Sequence, residues 1–340
     1  RCNMRMNQGK IQNVRWRRVV LIIAMLCTLS SVCRASSITM PPSNTVNVEK
    51  VCLLSPSRCL KVVDAELKHT AKESRRWFDL LQYRFDALFN LKQFTTLREE
   101  TRPWVNREDV PLPFQITSLI YFAKSSFSAD EIEAGKCYAQ RAAQKLELLH
   151  TTFPNPMRLI ELANLQMYTD ELEKAYASLQ VLEHEYRESK NARFMMELHG
   201  NLGHLSHQLG DINASLKYWL TTKEWSFKFG NKQQIATVTH NLAKIYSQLG
   251  DNELAIVNLR IATEMSHLAG DDIMHAQAQL LLTAVYLNAK KHCKAQFQWD
   301  SLEADVLPEY YHDRYEIVSE RMKSSECVLT ETNNSAFTAN

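Results

Sequence analysis

The chain has 340 residues with 45% hydrophobic content, enough to bury a core, and a formal net charge of +2. Only 8 glycines and 9 prolines occur, and no proline lies between Pro156 and Pro308. This poverty of turn residues argues against strands and hairpins and for an all-α chain, and it excludes a glycine-rich phosphate cradle.

The first eighteen residues carry six basic groups and no acid. The apolar run VVLIIAML follows from Val19 to Leu26, and the small-residue stretch CTLSSVCRA ends at Ala35. Basic, apolar and small regions in that order read as a secretory signal peptide over 1–35, which predicts a periplasmic or secreted protein. The competing reading is an uncleaved anchor, but the apolar stretch is shorter than the ~20 residues a spanning helix needs. Membrane contact is expected only if the leader stays uncleaved or the chain is truncated. Without 1–35 the net charge is −5, seven positive charges fewer, which does not suit nucleic acid.

Residues 36–113 read as a leader arm followed by entry helices. In VCLLSPSRCL the spacing of Cys52 and Cys59 allows a small disulfide loop or two free thiols. Trp77, Leu80, Leu81, Phe85, Leu88 and Leu91 recur at helical spacing, and the proline-bearing stretch RPWVNREDVPLPF closes the segment.

From 114 to 300 the chain repeats itself. NLGHLSHQLGD at 201–211 returns as NLAKIYSQLGD at 241–251, and steps of forty reach units at 121, 161 and 281. One column is small throughout, Ala123, Ala163, Gly203, Ala243 and Thr283, and is preceded by Phe122, Leu162, Leu202, Leu242 and Leu282. A second small column holds Gly135, Ala175, Ser215, Ala255 and Ala295. Small residues at a fixed place mark close helix approach, and units that cannot bury their own apolar face stack on neighbours. Gly210, Gly230, Gly250 and Gly270 fall every twenty residues, each followed by Asp or Asn. Glycine past a helix end with a capping residue after it makes each step one helix and one turn. About five helical hairpins result. Cys137 and Cys293 fall within helical patterns and read as small core residues. A closing helix is expected over 301–328 and a polar tail over 329–340.

This pattern resembles the tetratricopeptide repeat family: Leu202–Gly203 and Leu242–Ala243, then Tyr246 and Tyr286, then Ala255 and Ala295 in the second helix. The forty-residue period exceeds the usual ~34, Ser206 and Gln166 stand where an aromatic is usual, and the closing proline is missing. The longer unit looks like the extended repeats of bacterial periplasmic sensory proteins. The resemblance implies a right-handed α-solenoid with helical caps that binds a peptide or protein partner on a concave surface. It also implies that Asn164, His204, His207, Gln208, His240, Lys244, Gln248 and Asn288 look into that groove, where histidines would make binding pH-sensitive. The alternative is the periplasmic sensor portion of a truncated membrane signalling protein, a diguanylate cyclase or histidine kinase.

No catalytic motif, nucleophile–base pair or CxxC occurs, so neither an enzyme nor a cofactor is expected. His204 and His207 share a helix face, but no acid or cysteine stands beside them, so no metal is expected. Tyr218, Trp219, Trp225 and Phe227 on one second helix read as inter-repeat core, and not as a ligand box.

Overall fold

A computed structural model describes residues 47–325 and Cys327; the expected signal peptide over 1–35, residues 36–46 of the expected arm and the expected tail over 329–340 lie outside the described residues. Fifteen α-helices and no strand occur among the described residues. Four precede the repeats: α1 (Val48–Leu54), α2 (Pro56–Leu67), α3 (Arg75–Asn90) and α4 (Phe94–Thr101). Five hairpins follow. They pair α5 (Leu112–Ser128) with α6 (Ile132–Thr152), α7 (Pro156–Tyr168) with α8 (Leu172–Glu185), and α9 (Ala192–Gln208) with α10 (Ile212–Phe229). The last two pair α11 (Lys232–Gln248) with α12 (Asn252–Ala269), and α13 (Asp272–Asn288) with α14 (His292–Asp300). Each helix packs on its chain neighbours, and first helices touch across hairpins at α3 and α5, α7 and α9, and α11 and α13. This nearest-neighbour pattern is an α-solenoid.

The turns explain the period. Gly210, Gly230, Gly250 and Gly270 have φ of +84°, +76°, +80° and +67°. Asp211, Asn231, Asp251 and Asp271 cap the next helices, each accepting from the backbone N–H three residues on (Ala214, Gln234, Leu254, Met274). Within hairpins, the left-handed residue is followed by a backbone bond five residues back, from Asp211 to Ser206 and from Asp251 to Tyr246 (2.8 and 2.9 Å). Asp130, Asp170 and Lys290 hold the same left-handed place in the other hairpins, with φ of 57°, 63° and 57°. Lys92 (φ 57°) does so between α3 and α4, so this pair is a sixth hairpin built on the same turn.

Both small columns sit at helix crossings. Ala123, Ala163, Ala243, Thr283, Ala175, Ser215, Ala255 and Ala295 are all buried. At Gly203 an added Cβ would meet the Trp219 indole at 3.0 Å, which is the close approach the column requires.

The cap and cysteine readings need correction. The closing segment is broken: two 3₁₀ turns at Ala304–Val306 and Glu309–Tyr311 precede α15 (His312–Lys323), because Pro308 cannot continue a helix. Cys293 is not a core thiol but is disulfide-bonded to Cys327, which ties the segment after α15 to α14. Cys52 and Cys59 do form a disulfide, across the break between α1 and α2. The arm is therefore helical from Val48, and it reaches far along the chain: Asn231 Nδ2 donates to the Leu53 carbonyl at 2.5 Å.

A candidate concave binding site

The first helices α3, α5, α7, α9, α11 and α13 share one face of the solenoid. Charges far apart in sequence meet there. The charge of Asp86 on α3 is felt by Glu197 on α9, and that of Asp271 before α13 by Lys92 after α3. In a helical solenoid the side lined by one helix of each repeat forms the extended concave surface.

In steps of forty, one inward column reads Lys124, Asn164, His204, Lys244 and Ala284. The column one turn earlier reads Ile120, Ile160, Gly200, His240 and Leu280. Ile120, Ile160 and Leu280 are buried apolar residues, and Gly200 leaves their place empty. A Cβ there would meet nothing closer than Thr222 Cγ2 at 3.6 Å. The vacancy opens a cleft of about 380 Å³ between α7, α9 and α11. Amide side chains line it, Asn164, Asn201, Gln208 and Asn241, with Thr222, Thr237 and the Trp219 edge forming its floor. The His204 ring stands edge-on to Trp219, at 4.7 Å and 88°.

The sequence-predicted residues separate into three groups. Asn164, His204 and Gln208 line the cleft. His207 and Gln248 are exposed and clip α9 to α11, with His207 Nε2 2.9 Å from Gln248 Oε1. Lys244 stands half-buried beside His204 and lowers its proton affinity. His240 and Asn288 depart from expectation. His240 is 2% exposed, because it is thirty-six and not forty residues beyond His204 and so falls in the apolar column. Asn288 accepts from Arg321 Nη2 at 2.8 Å and so braces the closing helix. Gly200, Asn201, Asn241 and Thr237 were missed. The signal for them was present: 201 and 241 are both Asn in one column, and Gly200 is neither a turn glycine nor part of a small column.

Of the second-helix aromatics, Tyr218 and Trp219 are buried as core, Phe227 is exposed, and Trp225 carries the Lys228 ammonium at 4.1 Å.

Charge is unevenly spread along the face. Toward α5 it is paired: burial works against the Lys124 charge, but Glu161 at 3.4 Å outweighs it, so Lys124 is raised overall. Burial pushes the Glu197 carboxyl up, against the pull of Arg193. Toward α13 the charge is unpaired. Desolvation, with Lys244 and His207, pushes His204 down to about 4, although the residue keeps solvent contact. Desolvation, aided by Arg314, pushes Lys244 down to about 8. His240 is held well below the usual histidine range by burial, Lys244 and Arg314. In the free groove His204 and His240 are therefore neutral near pH 6.5, and the expected histidine transition there moves to lower pH. Among the described residues no group of three or more metal-ligating side chains occurs, and no helix is long and apolar enough to cross a membrane.

No protein-family model and no curated protein matches the chain. Solved structures do. The Rap protein complexed with Competence and Sporulation Factor is 13% identical, with a TM-score of 0.52 over 81% of this chain and 75% of that one. Cut9, in the APC/C hetero-tetramer Cut9–Hcn1, is 15% identical with a TM-score of 0.54 over 81% of this chain and 47% of that one. The apo quorum sensor NprR from B. thuringiensis is 13% identical with a TM-score of 0.50 over 80% and 77%. At these identities the likeness speaks for the fold, and the fold is a tetratricopeptide-like helical solenoid.

Proposed function

We propose that the protein is an exported scaffold that binds a peptide or protein segment in the concave cleft between α7, α9 and α11. One observation carries this reading: a vacancy in a column of otherwise large buried side chains, ringed by amide side chains that have both donors and acceptors to offer an extended backbone. The solved structures support it by analogy, since the Rap structure holds Competence and Sporulation Factor and Cut9 is seen assembled with Hcn1. Export rests on the 1–35 leader and is in keeping with the disulfides at Cys52–Cys59 and Cys293–Cys327, which persist in oxidising compartments. A mature terminus near Ser36 in the secreted or periplasmic fraction is the expected mass-spectrometric result. The sensor portion of a longer signalling protein would use the same cleft.

The test is Gly200→Leu. Its Cβ meets only Thr222 within 4 Å and the rest of the side chain extends into the cleft, so the melting temperature should hold. A partner isolated with the wild-type chain should lose at least about tenfold in affinity, equivalent to ~1.4 kcal/mol. Unchanged affinity in a folded Gly200→Leu chain would remove the cleft from the binding surface.

A further inference from the structure

The second helices of the hairpins begin on one pattern. EAG at 133–135, EKA at 173–175 and ELA at 253–255 each put an exposed Glu in the first turn and a buried small residue two places on. A carboxylate there suits the helix dipole, and the small residue lets the paired helices approach. In α14 the place of Glu is taken by Cys293, which is held in its disulfide. In α10 the same places read NAS: Asn213 stands for Glu, and Ser215 stands where the other hairpins have Gly or Ala. The fold asks for neither change. Ala175, Ala255 and Ala295 fill the buried column without a hydroxyl, and α10 has no acid in its first turn. Asn213 is exposed, and among the described residues its amide makes no hydrogen bond. Two departures from two columns, two residues apart, together spell Asn-X-Ser. Of the asparagines from 47 to 325, Asn213 alone is followed by Ser or Thr two places on.

We infer that Asn213 is the acceptor for an N-linked oligosaccharide, the modification that Asn-X-Ser directs in exported chains. This rests on the export reading. The co-reactant is a lipid-linked oligosaccharide diphosphate. Transfer forms a bond from Asn213 Nδ2 to the anomeric carbon of the first sugar and breaks the bond from that carbon to the diphosphate oxygen. The lipid diphosphate leaves, and the amide gives up one proton to a base of the transferase. The fold sets the order of events. Ser215 is 0% exposed, and its Oγ donates to the Gly203 carbonyl at 2.8 Å. The hydroxyl that the motif requires is out of reach once α9 and α10 have paired, so transfer precedes the closing of this hairpin. The finished glycan stands clear of the binding surface, because Asn213 does not line the cleft. It covers the start of α10 with bulky, solubilising sugar and leaves the concave side open.

The test translates the whole chain with microsomes that N-glycosylate, once with its own residues 1–35 and once with a proven secretory leader in their place. The readout is mass spectrometry of the peptide that spans 213, in chains protected from added protease, before and after a peptide N-glycosidase. Reading by peptide separates this site from NNS at 333–335, which lies outside the described residues. Protected chains should carry the oligosaccharide at 213 and lose it to the glycosidase. Asn213→Gln should abolish it. Ser215→Ala should abolish it too, in a chain that still folds, since alanine serves at 175 and 255. Ser215→Thr should keep it. A bare peptide in protected chains from both arms would overturn the acceptor, and so would a glycan that persists in Ser215→Ala. A glycan found only with the substituted leader would support the acceptor and overturn export by residues 1–35.

Discussion

Gly135, Gly200 and Gly203 are all helical, yet a methyl group would meet different surroundings at each. An alanine in a helix interior is worth about 0.5–1 kcal/mol over glycine where nothing obstructs it. At 200 nothing does, so Gly200→Ala should raise the urea midpoint at unchanged slope. At 135 the new Cβ would lie 2.7 Å from the Phe127 ring, which is itself stacked on Tyr168 at 4.9 Å and 16°. That overpacking outweighs the helix gain, and Gly135→Ala should cost about 1–3 kcal/mol. A lowered midpoint for Gly200→Ala would mean the cleft is closed in solution. At this scale the sequence was informative wherever composition within a column decides packing. The small columns were legible for that reason. The site was less so, because it depends on one absence, at Gly200, and on a one-turn offset. His240 looks like a neighbour of His204 in a list of histidines, but the forty-residue register aligns Lys244 with His204 and puts His240 with Ile120, Ile160 and Leu280.

The turn is the element that sets the repeat, and it uses two chemistries. At 210 and 250 glycine takes the left-handed conformation without a Cβ penalty. At 130, 170 and 290 Asp, Asp and Lys take it against that penalty, which is about 1–2 kcal/mol for ordinary residues and less for Asp. The glycine ladder revealed helix length in the sequence because glycine is selected by φ itself. The hairpins without it had to be found by counting, since neither aspartate nor lysine signals a positive φ. Lys290 has the worst fit of the three and an exposed side chain. Lys290→Gly should stabilise the chain by about 0.5–1 kcal/mol, after the added freedom of glycine in the unfolded state is set against the relieved strain. Calorimetry on the variant checks this. The mirror change, Gly250→Val, should destabilise by more than that, because a β-branched residue resists φ of +80°.

Across the whole molecule, a solenoid is held by contacts between neighbours, so an element at one end has little reason to feel the middle. The N-terminal helices break that rule. Asn231 is 5% exposed and uses both ends of its amide: Oδ1 accepts from Gln234 N at 3.0 Å and caps α11, while Nδ2 donates to the Leu53 carbonyl. One side chain thus joins a repeat turn to a helix 178 residues earlier, and the Cys52–Cys59 disulfide stiffens the segment it grips. The two roles separate by substitution. Asn231→Asp keeps an oxygen for the cap and loses only the donor to Leu53; Asn231→Ala loses both. The aspartate variant should leave global stability within about 0.5 kcal/mol, since carboxylate caps are as good as amide caps. It should nevertheless speed hydrogen exchange over α1 and α2 while α11 stays protected, because local opening follows local contacts. The alanine variant should add a cap loss of about 1 kcal/mol and loosen the start of α11 as well. Exchange in α1 and α2 that is the same in Asn231→Asp as in the wild-type chain would show that apolar packing of Val48 and Cys59 against α3 holds the N-terminal helices by itself, and that the long-range amide contact adds nothing.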